Sequence, residues 1–177
     1  MRQVMSETEL GRVTRRIAHE IVERNHGTEN IVLVGILTRG KPFAERIAKV
    51  LSEIEGRPVL PGSLDIGMYR DDLDTRPKTR IGPTNIPESI DGRTVILADD
   101  VLFTGRTIRA ALDALTDLGR PGAVQLAVVV DRGHRQLPIR ADFVGKNIPT
   151  AAAERVSVRF EEIDGADGVW IDAGVEE

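Results

Sequence analysis

The sequence predicts an α/β protein with a mostly parallel sheet covered by helices on both faces. Three observations carry this. Uninterrupted apolar runs at Ile31–Ile36, Val95–Ala98 and Leu126–Val130 suit strands buried on both sides. Between and before them, apolar residues recur at helical spacing, at 7–25, from Pro42 to Leu51 or Ile54, and at 105–118. The length of 177 residues, 41% of them hydrophobic and 29% charged, suits one globular domain of ordinary size.

Each element has a local cause. Ser6-Glu7-Thr8-Glu9 is a capping box opening the first helix, whose apolar face is Leu10, Val13, Ile17, Ile21 and Val22. Its other face carries Arg12, Arg15, Arg16 and His19, and Asn25-His26-Gly27 stops it. The run Ile31–Ile36 leads into a loop, Thr38-Arg39-Gly40, and Pro42 fits the first turn of the next helix. Leu64, Ile66 and Met68 alternate with small or polar residues, which predicts a strand with one wet face. The polar stretch 69–87 contains Pro77, Gly82, Pro83 and Pro87 and reads as a long flexible loop able to cover a site. The strand at Val95–Ala98 is followed by Asp99-Asp100, then by a helix from Gly105 to Leu118 with Ile108, Ala111, Leu112 and Leu115 inward. Gly119 and Pro121 end that helix. Leu126–Val130 runs into Asp131-Arg132-Gly133-His134-Arg135, and short strands are expected near 142–145, 156–160 and 169–171.

Composition removes several function classes. Without cysteine there are no disulfides, thiolate metal sites or cysteine nucleophiles. The three histidines are widely spaced and show no zinc-ligand pattern, so no zinc is expected. No apolar run is long enough to span a bilayer, so no membrane association is expected. The start, MRQVMSETEL, lacks the apolar core of a secretory signal, and a cytoplasmic location is the expectation. The net charge is −4, but residues 161–177 hold seven acids and no Lys or Arg. The remainder is net basic, so the acidic total leaves room for a basic face elsewhere. Six aromatic residues are too few for base stacking on aromatic platforms.

The chemistry concentrates in Val95 to Thr107, VILADDVLFTGRT. An apolar strand delivers two adjacent carboxylates, and a turn then presents Thr-Gly-Arg-Thr at a helix start. Amides at a helix N-terminus, with the Thr104 and Thr107 hydroxyls, make a phosphate site, and Gly105 permits close backbone approach. The acids are spaced to accept hydrogen bonds from vicinal ribose hydroxyls or to hold Mg²⁺. Ligands of open α/β sheets bind where such a loop would lie, at the carboxyl ends of strands. The pattern suits a phosphorylated sugar.

The same string resembles the signature of type I phosphoribosyltransferases, which bind 5-phosphoribosyl-1-pyrophosphate (PRPP). The resemblance implies a parallel sheet flanked by helices with a small hood built from terminal segments. It implies that Asp99 and Asp100 face the ribose hydroxyls and hold Mg²⁺ directly or through water. Phe103, Thr104, Gly105, Arg106 and Thr107 would then surround the 5′-phosphate. Thr38, Arg39 and Gly40 would form the pyrophosphate loop, with Arg39 joining the two aspartates as the catalytic set.

The blocks RIAHEIVERN, VGILTRG, DIGMYRDDL, DDVLFTGRTIRAALDALTDLGRP and QLAVVVDRGHRQLPIRADFVGKNIPT follow one another from residue 16 to 150. Together they resemble the PyrR family of bifunctional pyrimidine operon attenuators and uracil phosphoribosyltransferases. That resemblance implies UMP synthesis from uracil and PRPP, UMP-promoted binding to pyrimidine operon mRNA, and a homo-oligomer, dimer or higher. Purine enzymes of the superfamily commonly have aspartate just before Thr-Gly. Here Phe103 stands there, where the PyrR family often has Tyr, and no protein general base is assigned. Arg70 and Arg80 of the 69–87 loop are possible contributors on closure, and Asp131 and Arg132 are candidates for the base pocket. The RNA surface would use Arg15, Arg16, His19 and Arg24 on the first helix, with His134, Arg135, Arg140 and Lys146. Arg15 stands where the family often has Thr. Two other readings stay open: a nucleobase phosphoribosyltransferase without RNA binding, and an RNA regulator that keeps the nucleotide site as a sensor.

Overall fold

The computed structural model of the chain describes residues 1–71 and 82–174. Ten of the positions assigned to the 69–87 loop, 72–81, therefore lie outside the described residues, and Arg80 with them. The elements are β1 (Arg2–Met5), α1 (Glu7–Asn25), β2 (Ile31–Ile36), α2 (Gly40–Glu55), β3 (Gly62–Leu64) and β4 (Thr94–Leu102). They continue with α3 (Arg106–Thr116), β5 (Ala123–Asp131), β6 (Phe143–Asn147), β7 (Arg155–Arg159), α4 (Glu161–Asp164) and β8 (Gly168–Asp172).

Five strands form a parallel sheet in the order β3-β2-β4-β5-β6. Alternation along each strand divides the core between its faces. Ile31, Leu33, Ile96, Ala98, Ala127 and Val129 pack with α1 and α2, while Val32, Val34, Val95, Leu97, Leu126 and Val128 pack with α3. From β2 the chain crosses through α2 to β3 on one side. From β4 it crosses through α3 on the opposite face to β5. The β2/β4 boundary is thus a topological switch point, where the loops leaving both strands diverge and open a crevice.

A second sheet, β1-β8-β7, is antiparallel and forms the hood with α4. Its inner side, including Val158, Val169 and Ile171, joins the α1/α2 core. Arg46 of α2 anchors it electrostatically. Its Nε and Nη2 donate to Glu162 at 2.9 and 2.6 Å, and its Nη1 and Nη2 donate to Asp167 at 2.8 and 2.7 Å.

Several details differ from the sequence reading. The strand expected at Leu64, Ile66 and Met68 ends at Leu64; Ile66 is buried in an irregular segment and Met68 is exposed. β4 runs on through Asp99 and Asp100 to Leu102, because Val101 and Leu102 still pair with Val130 and Asp131 of β5. On α3, Leu112 faces outward, and Ala110 and Ala114 are buried beside Ile108, Ala111 and Leu115. Of the late strands, only the one near 142–145 joins the main sheet, as β6. Among the described residues no helix is long and apolar enough to cross a membrane.

Candidate functional site

The acid pair sits at the switch point. Asp99 is 6% exposed, and its Oδ1 accepts the Asp100 amide at 2.9 Å. Asp100 Oδ1 accepts the Val101 amide at 2.8 Å. Burial, then the adjacent Asp100 charge, hold the Asp99 carboxyl well above the ordinary carboxylate range, and the Arg70 charge works the other way. Burial also raises Asp100, with Asp99 and the Arg39 charge among the groups opposing it.

Such a pair of crowded, hard oxygen donors suits a hard dication. Among the described residues no cluster of three or more His, Asp or Glu accompanies it. Asp99 and Asp100 are the residues that would hold such an ion, and it would supply positive charge beside phosphate oxygens.

The loop after β2 is pressed against this pair. A Cβ on Gly40 would fall onto the Ala98 carbonyl oxygen, and one on Gly35 would come within 2.5 Å of the Gly40 oxygen. Only glycines let the start of α2 lie this close to β4, one residue before Asp99. The Leu37–Thr38 peptide is cis. Arg39, next to Asp100, donates from Nη2 to Asp164 Oδ1 of the hood at 2.6 Å. Between the loop and the hood lies a cleft of about 550 Å³, lined by Arg39, Asp100, Asp164, Asp172 and all of β7. β7 is an edge strand, so its backbone as well as its side chains borders the cleft.

The third part is the turn 103–107. Gly105 caps α3 at φ 94°, a left-handed conformation that favours glycine. The Arg106 amide donates to Thr104 Oγ1 at 3.3 Å. A smaller cleft of about 210 Å³ is lined by Arg70, Asp71 and residues 101–108. The Arg106 side chain is held by Asp71 at 2.5 Å and Gln136 at 2.9 Å, and the Tyr69 hydroxyl donates to Asp117 at 2.5 Å. These bonds tie residues 69–71 to α3.

Thr38, Arg39, Gly40, Asp99, Asp100 and residues 103–107 are thus all brought to the carboxyl ends of β2 and β4. The base candidates lie after β5. Asp131 pairs with Arg135 at 2.7 Å and accepts the Gly133 amide at 3.0 Å. Arg132 is 6% exposed, stacks on the Phe103 ring at 4.0 Å and donates to Thr150 and to the Ala151 and Ala152 carbonyls.

The basic residues have varied surroundings. Arg15 pairs with Glu53 at 3.3 Å. Arg16 donates to Glu20 and to the edge carbonyls of Val144 and Gly145 on β6. Arg24 pairs with Asp142 at 2.7 Å, and Lys146 donates to the Val4 carbonyl at 3.1 Å. Arg16 and Arg24 thus both bond the segment from Asp142 to Gly145, and Lys146 follows it on β6. His134 is left-handed at φ 64° and its Nε2 lies 2.6 Å from the Thr150 oxygen. Arg135 bonds Phe103, Ile139 and Asp131. His19 and Arg140 are exposed, without a partner among the described residues.

The sequence reading missed Asp164, Asp71 and the β7 wall. Asp164 lies 125 residues from Arg39, and no local signal joins them.

The phosphoribosyl transferase domain family matches residues 3–161. The bifunctional protein PyrR of Chloroflexus aurantiacus is 59% identical, over 96% of this chain and 94% of that protein. Those of Leifsonia xyli and Thermus thermophilus are 56% and 58% identical, covering 98% and 94% of this chain and 97% and 93% of their own lengths. Among solved structures, a Staphylococcus aureus hypoxanthine phosphoribosyltransferase superposes with a TM-score of 0.68 at 18% identity, over 92% of this chain and 86% of that one. A Bacillus anthracis hypoxanthine-guanine phosphoribosyltransferase gives 0.65 at 22%, over 84% and 85%. At such identities these two likenesses speak for the fold alone. With relatives this similar over nearly its whole length, the chain belongs to the PyrR family of phosphoribosyl transferase domain proteins.

Proposed function

We propose that this chain transfers the 5-phosphoribosyl group of PRPP to N1 of uracil, giving UMP and pyrophosphate. In its second role it binds pyrimidine operon mRNA in response to UMP, as an attenuation regulator of pyrimidine biosynthesis genes, and it works as a homo-oligomer. The observation that carries the catalytic reading is the convergence, at one switch point, of the Asp99-Asp100 pair, the Arg39 loop and the Gly105-capped start of α3.

Each part then has a task. The amides and hydroxyls of 103–107 hold the 5′-phosphate. Asp99 and Asp100 accept hydrogen bonds from the ribose hydroxyls, and both are suited to hold Mg²⁺. Phosphoribosyltransferases in general use Mg²⁺ with PRPP, and an ion held by Asp99 and Asp100 would supply charge that offsets the negative charge of the departing pyrophosphate. Arg39 exchanges Asp164 for pyrophosphate oxygens. The C1′–O bond breaks with its electron pair leaving on pyrophosphate, uracil N1 bonds C1′, and the N1 proton goes to solvent. The cleft beside Arg39 and Asp100 has room for the ribose and pyrophosphate, and alignment there supplies the rate. Asp131 and Arg132 stay candidates for the base wall, Arg132 through its stacking on Phe103.

For the regulatory role, Arg15, Arg16, His19, Arg24, His134, Arg135, Arg140 and Lys146 are the candidate contacts. Backbone phosphates would supply affinity and exposed loop bases specificity.

The test is to incubate the protein with PRPP, Mg²⁺ and uracil, hypoxanthine or guanine in turn, and to measure RNA affinity with and without UMP. UMP formation with UMP-enhanced RNA binding is expected. UMP formation without RNA binding would leave a transferase alone, and RNA binding without turnover would leave a sensor.

A further inference from the structure

The segment that follows β5 buttresses the turn 103–107 from behind. Arg135 Nη1 donates to the Phe103 carbonyl at 2.7 Å. The Gln136 and Leu137 amides both donate to the Thr104 carbonyl, at 2.9 and 3.2 Å. Gln136 Oε1 accepts Arg106 Nε at 2.9 Å. Ile139 closes against Gly105, where an added Cβ would stand 3.3 Å from the Ile139 Cβ.

A trans peptide is planar and sets its N–H opposite its carbonyl. Donors that fix the Phe103 and Thr104 carbonyls on one side therefore fix the Thr104 and Gly105 N–H groups on the other. The cleft lined by residues 101–108 runs along these same peptides. An anion site made of amides needs their direction set before the ligand arrives, since turning peptides on binding would weaken it.

Arg135 is built for such a task. Its Nε donates to the Ile139 carbonyl at 2.8 Å and its Nη2 to Asp131 at 2.7 Å, while Nη1 holds Phe103. All three nitrogens are engaged within the chain, and the fork links β5, the Phe103 carbonyl and the Ile139 turn. A guanidinium does this through fixed planar geometry, which an ammonium cannot reproduce. The Phe103 ring is fixed as well, by the Arg132 guanidinium at 4.0 Å and the edge of His134 at 6.0 Å.

We propose that Arg135, with the Gln136 and Leu137 amides, is a positioning residue that aims the backbone of the phosphate cradle. This rests on residues 103–107 holding the 5′-phosphate. It gives Arg135, a candidate RNA contact, a second task at the nucleotide site. The consequence is that affinity for the phosphate passes through a segment whose exposed members, His134 and Arg140, are candidate RNA contacts.

The readout is the phosphate's own share of affinity, the ratio of uridine to UMP dissociation constants from calorimetry. The variants are Arg135→Gln and Arg135→Lys. Both are expected to narrow the ratio at least about fivefold, whatever they do to uridine affinity through Asp131. Arg135→Lys is expected to keep the salt dependence of RNA binding. If the unsubstituted protein binds uridine and UMP equally, the phosphate reading itself fails. If it prefers UMP and both variants keep that preference, only the positioning role fails. Equal loss of uridine and UMP affinity also overturns the proposal, because the phosphate share is then untouched. So does full recovery in Arg135→Lys, because charge alone would then suffice.

Discussion

Arg39 and Asp164 stand 125 residues apart and meet through a 2.6 Å hydrogen bond from Nη2 to Oδ1. The bond joins the loop after β2 to the hood. Burial would raise the Asp164 carboxyl, yet Arg39 and the Phe160 amide, which donates to it at 2.9 Å, bring it below its ordinary value. If Arg39 receives pyrophosphate as proposed, that group would compete with this carboxylate. The hood and the loop after β2 thus share one guanidinium.

Asp164→Ala removes that competitor and one anchor of α4. The expected result is a loss of about 1 kcal/mol in stability, seen as a lower thermal midpoint, together with an unchanged or lower KM for PRPP. A rise of KM to about tenfold would show that Asp164 orients Arg39 rather than competing for it.

The hood responds to acid. Hydrogen bonds from Arg46 are the main reason that the Glu162 and Asp167 carboxyls lie below their ordinary values. A depressed carboxyl adds stability that is complete above its unfolded value and is lost as pH falls through its folded one. The window is thus below the ordinary carboxylate range of about 4. Trp170, the single tryptophan, lies in β8 of the hood with Arg159 stacked on its ring at 4.7 Å. In a pH titration its fluorescence should shift before the far-UV circular dichroism of the main sheet changes. Coincident transitions would mean that the hood does not open separately.

Gly40→Ala places a Cβ on the Ala98 carbonyl oxygen, and neither backbone can give way cheaply. A stability loss of about 2 kcal/mol is expected. Because the displaced loop carries Arg39, kcat/KM should fall by about a hundredfold or more. Unchanged kinetics in a folded Gly40→Ala protein would separate this loop from the chemistry.

Two arginines on the candidate RNA surface should behave differently. Arg140→Ala and Arg16→Ala are each expected to flatten the salt dependence of RNA binding by about one unit. Only Arg16→Ala should also lower the thermal midpoint, because Arg16 bonds the Val144 and Gly145 carbonyls at the β6 edge. An unchanged salt slope in Arg140→Ala would remove Arg140 from the interface.

The parallel sheet was legible because strands buried on both faces must be continuously apolar, as Ile31–Ile36 is. The extension of β4 was hidden because two adjacent acids look like a turn, although Val101 and Leu102 resume the strand beyond them. β1 was invisible for the opposite reason: Arg2–Met5 is short and buries fully only Met5. The site's parts could be read locally, since a helix start after an acid pair is a short-range pattern. What met across the chain could not. Arg135 looked like surface charge, and only the fold shows its fork filled by Asp131, Phe103 and Ile139.

The paired acids are the centre of the account. Asp100→Asn keeps the shape of the side chain and removes its charge, and the most direct measurement is its rate of UMP formation from uracil and PRPP with Mg²⁺. Turnover at least about tenfold below that of the unsubstituted protein, with RNA affinity retained, is the expected result. Equal turnover would contradict the assignment of Asp99 and Asp100 to the ribose.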